Sequence, residues 1–98
     1  MVDRKYILTL LEQKQKDLDA LGVRSLALFG SVARDEAVEG SDIDILVSFH
    51  HSPVTFDIYM DVKFFLEDLF NNSVDLVISE ALHPRIERHI QLDAVYVA

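Results

Sequence analysis

The sequence predicts an α/β (α+β) chain, a small mixed β-sheet with helices packed on it. Three observations lead there. Short runs of branched apolar residues alternate with segments whose apolar positions recur at helical spacing. Breakers stand at the junctions: Gly22, Gly30, the Asn71-Asn72-Ser73 triplet and Pro84. And 98 residues, half of them hydrophobic, suffice for one core in a single domain spanning 1–98.

Taken in order, residues 3–21 set Ile7, Leu11, Leu18 and Leu21 at helical spacing, with Gly22 as a stop. Ser25-Leu26-Ala27-Leu28-Phe29 is a short apolar run ended by Gly30 and reads as a buried strand. Ser31 is placed as the N-cap of a short helix reaching Ala37. Ile43 to Phe49 is rich in branched residues and reads as a second strand. His50-His51-Ser52-Pro53 is a loop. From Thr55 to Phe70, Ile58, Val62, Phe65, Leu66 and Leu69 form one helical stripe, with Phe56, Met60 and Phe64 as a second apolar row beside it. Core packing is the expected use of that second row, and an exposed remainder would serve protein interaction. Residues 74–79 read as a third strand, Pro84 opens a helix to about Gln91, and residues 94–97 form a short final strand.

Composition removes several classes of function. Cysteine is absent, so there are no disulfides and no thiolate metal sites, which suits a reducing cytoplasm. The first residues lead into an amphipathic segment without an apolar signal core, and no run reaches the ~20 apolar residues of a membrane span. Nine Lys and Arg stand against 17 Asp and Glu, a formal net charge of −8. Such a surface repels phosphate backbones, so direct nucleic-acid binding is not expected. A bound phosphate would need a metal ion or a local positive site.

The chemistry concentrates in two places. Asp42 and Asp44 lie two apart at the head of the second strand, so they point to one face while Ile43, Ile45 and Val47 point to the other. Adjacent carboxylates repel unless a cation sits between them. Ser73-Val74-Asp75 repeats the pattern at the head of the third strand, and the intervening helix suits a crossover between parallel neighbours. Asp75 is then expected beside Asp42 and Asp44, giving oxygen ligands for a hard divalent cation such as Mg²⁺.

Gly30-Ser31 forms the second place. Glycine permits close approach to the backbone, and the first amides of a helix favour an anion. For Gly30 to meet Asp42, the first two strands must run antiparallel, which makes the sheet mixed. Arg34 in the first turn of that helix would oppose the macrodipole unless Asp35 and Glu36 offset it, or unless it faces the same anion or one of the acids. A phosphate-binding turn opposite a carboxylate cluster is a layout for phosphoryl or nucleotidyl transfer.

Gly30-Ser31-x-x-Arg34, then Ser41-Asp42-x-Asp44, then Asp75 on a later strand, resembles the minimal nucleotidyltransferases of the DNA polymerase β superfamily, across nearly the whole chain. Asp35 departs from the pattern, since glycine is common there. The resemblance implies a polymerase-β-palm-like fold and an ATP–Mg²⁺ complex with one or two metal ions. Asp42, Asp44 and Asp75 would be the metal-holding catalytic residues, with Asp75 nearest the incoming hydroxyl. Gly30, Ser31, Arg34 and Ser41 would contact the nucleotide. It further implies an antitoxin that transfers AMP to a tyrosine of a HEPN toxin partner. The alternative is an interaction module that neutralises its partner by contact alone. Other Asp-x-Asp chemistries fit less well: glycosyltransferase domains are much longer, and in aspartyl-phosphate phosphatases the motif follows the apolar strand. A calcium loop would need polar ligands where Ile45-Leu46-Val47 stands. The four histidines show no helical metal spacing and are expected on the surface, and Tyr96 is expected to pack on an edge strand.

Overall fold

Asp3 opens the first helix, its carboxylate accepting the Tyr6 amide at 2.8 Å, a side-chain cap for an otherwise free N–H. The computed structural model describes residues 3–97. Helix α1 (Arg4–Gln13) turns its apolar stripe inward and buries Ile7 and Leu11, and α2 (Gln15–Ala20) buries Leu18. The single helix expected over 3–21 is thus two. At Lys14 the amide bonds Leu11 O, three residues back, instead of four, and the turn tightens. Gln13, Lys14 and Gln15 are all good helix formers, so nothing local announces that break.

Strand β1 (Val23–Phe29) begins two residues earlier than expected, because Val23 pairs with Phe49 while Arg24 bulges out before Ser25 pairs with Ser48. A one-turn helix α3 (Gly30–Ala33) follows, then β2 (Ile43–Phe49), α4 (Phe56–Phe70), β3 (Val74–Ile78), a 3-10 turn at Ser79–Ala81, α5 (Pro84–Gln91) and β4 (Val95–Tyr96). The sheet order is β3-β2-β1-β4. β1 runs antiparallel to β2 and β4, and β2 runs parallel to β3. The sheet is mixed, as the meeting of Gly30 with the second strand requires.

The core lies on one face of this sheet. Leu26 and Leu28, then Ile43, Ile45 and Val47, then Val74 and Leu76 pack against Ile7, Leu11, Val62, Leu66 and Phe70 from the helices. Alternation along β2 therefore sends Asp44, Leu46 and Ser48 to the opposite face.

Helix α4 is capped by Thr55, whose hydroxyl accepts the Ile58 amide at 3.2 Å. Its buried line is Val62, Leu66 and Phe70, rotated from the stripe expected through Ile58, which is exposed. The rotation leaves Phe56 and Phe64 exposed as well. Two α4 side chains also close the outer edge of β3: Tyr59 O–H donates to Leu76 O at 2.6 Å, and the Glu67 carboxylate accepts the Val74 amide at 3.0 Å. Helix α5 starts at Pro84 as expected, with a cap the sequence did not suggest: His83 Nδ1 accepts the Arg85 amide at 3.1 Å. His50 is engaged too, its Nε2 lying 2.8 Å from Asp19. Among the described residues, no helix is long and apolar enough to cross a membrane.

Candidate active site

Asp44 and Asp75 are direct register partners across the parallel β2–β3 pair, on strands about 4.8 Å apart. Burial pushes the Asp44 carboxyl up, and the charges of Asp75 and then Asp42 push it further, while the Arg34 charge pulls the other way. Like charges have been brought together here instead of being separated. Asp44 is partly buried, whereas Asp42 and Asp75 are exposed at the mouth.

Gly30 closes the site from the other side. Phe29, the last residue of β1, pairs with Asp44, which sets Gly30 against that carboxylate. A Cβ at position 30 would overlap the Asp44 oxygen and lie 2.9 Å from its Cγ. The backbone there is also left-handed, with φ +74°. Both facts disfavour any side chain unless the Asp44 carboxylate moves, so the glycine is explained by its contact with Asp44 as well as by access for a ligand.

The heads of β2 and β3 are held level by the triplet that ends α4. Asn71 takes a left-handed conformation with φ 50°, a usual way for a helix to stop. Asn72 Nδ2 then donates to Ser41 O and Ser73 O, each at 3.0 Å, and the Ile43 amide reaches Ser73 O at 3.0 Å. Asn72 is a site-positioning residue that sequence reasoning treated only as a breaker.

The remaining candidates are placed as follows. Ser31 is not the N-cap expected of it; α3 begins one residue earlier, Phe29 occupies the cap position, and no side chain caps the turn. Its amide is therefore among the first of α3, which have no partner within the helix. Arg34 does not lie in a first turn. The helix spans only four residues and Arg34 is its C-cap, where a cation favours the macrodipole. The guanidinium is held by Glu36 at 3.3 Å and by Asp93 at 3.0 Å, contacts that raise its pKa further. Asp93 lies 59 residues away, so no local signal indicates it. Asp35, where glycine is common in the resembled family, has φ 57°, and Arg4 pairs with it at 3.5 Å while donating to Ala33 O. The Ser41 hydroxyl accepts the Val38 amide at 3.0 Å and so closes the loop leading into β2.

The donor chemistry fits a hard divalent cation: carboxylate oxygens, with Asp44 pushed toward its protonated form by burial and then by its acidic neighbours. Among the described residues, however, no three acidic or histidine side chains are gathered so as to hold a metal ion, so the three-carboxylate cluster expected from the sequence is not assembled. Mg²⁺ that keeps water and substrate phosphates in its shell needs only one or two carboxylates.

At the far end of β2, the same sheet face carries a different polar cluster. Ser48 is buried, donating to Glu80 at 2.7 Å and accepting from Arg24 at 2.5 Å. Burial alone would push the Glu80 carboxyl up; hydrogen bonds from the Ser48 hydroxyl, its own backbone and the Phe49 amide, together with the Arg24 charge, outweigh it and hold the group low.

A mixed sheet with carboxylates on adjacent strand heads, facing a glycine turn, is the architecture that the sequence leads one to expect of a nucleotidyltransferase. Comparison makes the class specific: the chain belongs to the nucleotidyltransferase domain family, whose sequence profile matches residues 5–97. The chain is similar to the protein adenylyltransferase MntA of Thermococcus cleftensis, 36% identical over 98 residues, covering 99% of this chain and 98% of that one. It is 45% identical over 76 residues to MJ0128 of Methanocaldococcus jannaschii, provisionally named a protein adenylyltransferase, covering 76% of each chain. Among solved structures, one provisionally assigned as a minimal nucleotidyltransferase superposes with a TM-score of 0.82 at 32% identity, covering 96% of this chain and 95% of that one. The MNT antitoxin complexed with a tri-AMPylated HEPN toxin from Shewanella oneidensis shares the fold, with a TM-score of 0.67 at 19% identity, over 93% of this chain and 71% of that chain.

Proposed function

We propose that this protein transfers AMP from ATP to a hydroxyl group of a partner protein, a tyrosine of a HEPN-type toxin, and acts as the antitoxin of that pair in the cytoplasm. The observation that carries the reading is the Asp44–Asp75 register pair on adjacent strands, set against Gly30. The adenylyltransferase relative that matches almost end to end supports the choice of reaction.

In this reading Mg²⁺, with water and substrate phosphates in its shell, draws its carboxylate ligands from Asp42, Asp44 and Asp75. When bound, the cation neutralises charge on the phosphate oxygens and makes the α-phosphorus more electrophilic. The chain's own groups do the rest. Gly30 admits the triphosphate to the backbone, the first amides of α3 around Ser31 face its oxygens, and Arg34 flanks the same mouth. Ser41 shapes the loop that presents Asp42. The acceptor oxygen attacks the α-phosphorus, the bond to the bridging oxygen breaks, and pyrophosphate leaves. Asp75, more exposed than Asp44, takes the hydroxyl proton. Absence of cysteine supports the cytoplasmic setting.

The test mixes purified protein with ATP labelled at the α-phosphate, Mg²⁺ and the product of the neighbouring gene. Label transfer that disappears with Asp42→Ala and with Asp44→Ala supports the enzyme. If no label moves and both variants still neutralise the partner, neutralisation works by contact alone and the catalytic reading is wrong.

A further inference from the structure

Helix α4 keeps an apolar row out of the core. Phe56 is 74% exposed and Phe64 54% exposed, with Met60 half-buried between them. The spacing i, i+4, i+8 aligns all three along one side of the helix. A different side of the helix supplies Val62, Leu66 and Phe70 to the core, so inward rotation of the row would withdraw those residues. An acid accompanies each member at i+1 or i+4: Asp57, Asp61 and Asp68. Among the described residues, none of these three forms an ion pair.

We propose that this row is a docking surface for an amphipathic helix of a partner protein, one whose apolar stripe is flanked by Lys and Arg. Charge selects that occupant. A second copy of this chain would set one acidic flank against another, on a molecule of formal net charge −8, and like-charge juxtaposition opposes it. A basic flank instead places cations beside Asp57, Asp61 and Asp68, while the phenylalanines enter the grooves of the partner helix. The surface lies on the core side of the sheet, opposite Asp44, so a partner held there leaves the catalytic face open. The proposal goes beyond the reaction above and does not depend on it.

The probe is a fluorescein-labelled 18-residue helical peptide with leucine at i, i+3 and i+4 positions and lysine on both flanks. Two controls accompany it: the same peptide with glutamate flanks, and a scrambled lysine–leucine peptide without the stripe. The wild-type chain is expected to bind only the first. Phe64→Ser, or Phe56→Ser at the more exposed position, is expected to weaken binding at least ~30-fold, the scale of an interface hot spot, with an unchanged circular dichroism spectrum. Replacing Asp57, Asp61 and Asp68 together by asparagine is expected to weaken binding and flatten its salt dependence. Asp42→Ala is expected to bind the peptide like wild type, which separates this surface from the active site. The proposal is overturned if wild type binds no peptide, if the scrambled or glutamate peptide binds equally, or if Phe64→Ser binds unchanged. It is also overturned if sedimentation shows a wild-type dimer that Phe64→Ser dissociates.

Discussion

The two ends of β2 carry polar clusters on one sheet face, and they are built on opposite rules. At the C-terminal end, Ser48, Glu80 and Arg24 satisfy one another, and the carboxylate is held low. At the N-terminal end, Asp44 meets Asp75 and Asp42 and is held high; the Arg34 charge opposes this, but that cation is already shared with Glu36 and Asp93. A polar group kept for stability is given partners. The cluster at Asp44 instead remains short of positive charge, which is the condition a metal–nucleotide complex would relieve.

The largest expected effect comes from removing the frustrated end. Asp44→Asn should lower AMP transfer by about 10³-fold or more, since a cation's several kcal/mol of charge stabilisation is lost with its ligand. In magnesium-free buffer its melting temperature should be no lower than wild type. A clear drop would mean that the Asp44 cluster is structural like its counterpart.

Gly30→Ala attacks the same end through the backbone. A side chain in a left-handed conformation costs about 1–2 kcal/mol, and the overlap with Asp44 must move that carboxylate. A shift of about 1 Å at a reacting group can cost about 10²-fold in rate. Transfer assays and urea denaturation should therefore both report loss; normal transfer would remove Gly30 from the site.

Glu80→Ala breaks the satisfied end. It strands the buried Ser48 hydroxyl and the Phe49 amide, and a loss of roughly 1–2 kcal/mol in urea is expected, with transfer within about twofold of wild type. The pH dependence should carry opposite signs at the two ends in magnesium-free buffer. Glu80 is lowered on folding, so its contribution is present above the unfolded value near ~4.3 and is lost as pH falls through the folded one. Asp44 is raised, so its contribution is present below ~3.9 and is lost as pH rises through its folded value. On acidification wild type should lose stability relative to Glu80→Gln and gain it relative to Asp44→Asn. Matching slopes would contradict the contrast.

The smallest effect is expected at Asp35. Glycine relieves its left-handed backbone, while the exposed Arg4–Asp35 pair contributes little. Asp35→Gly should change stability by no more than about 1 kcal/mol, in the stabilising direction.

The order of elements was readable because each apolar run is short and bounded by breakers, and the mixed sheet followed from asking Gly30 and Asp42 to meet. The side-by-side placement of Asp44 and Asp75 followed from two similar strand heads joined by one helix. What escaped depended on distant partners or on rotation about a helix axis. Arg34 finds Asp93 across 59 residues, and Glu80 becomes the acceptor for Ser48 only because Ser48 points the other way from Ile45. Asn72 reads as a breaker until the strands it clamps are adjacent. On α4, apolar residues almost encircle the helix, so periodicity alone did not decide that Val62, Leu66 and Phe70 would turn inward and leave Phe56 and Phe64 outside.

The outer edge of β3 has its own consequence. With a tyrosine hydroxyl on Leu76 O and a glutamate on the Val74 amide, strand addition from another molecule would first have to displace both. Growth of the sheet by backbone templating is discouraged at that border. An assembly that used this border would then be made by surface side chains, whose fit a single codon change can retune.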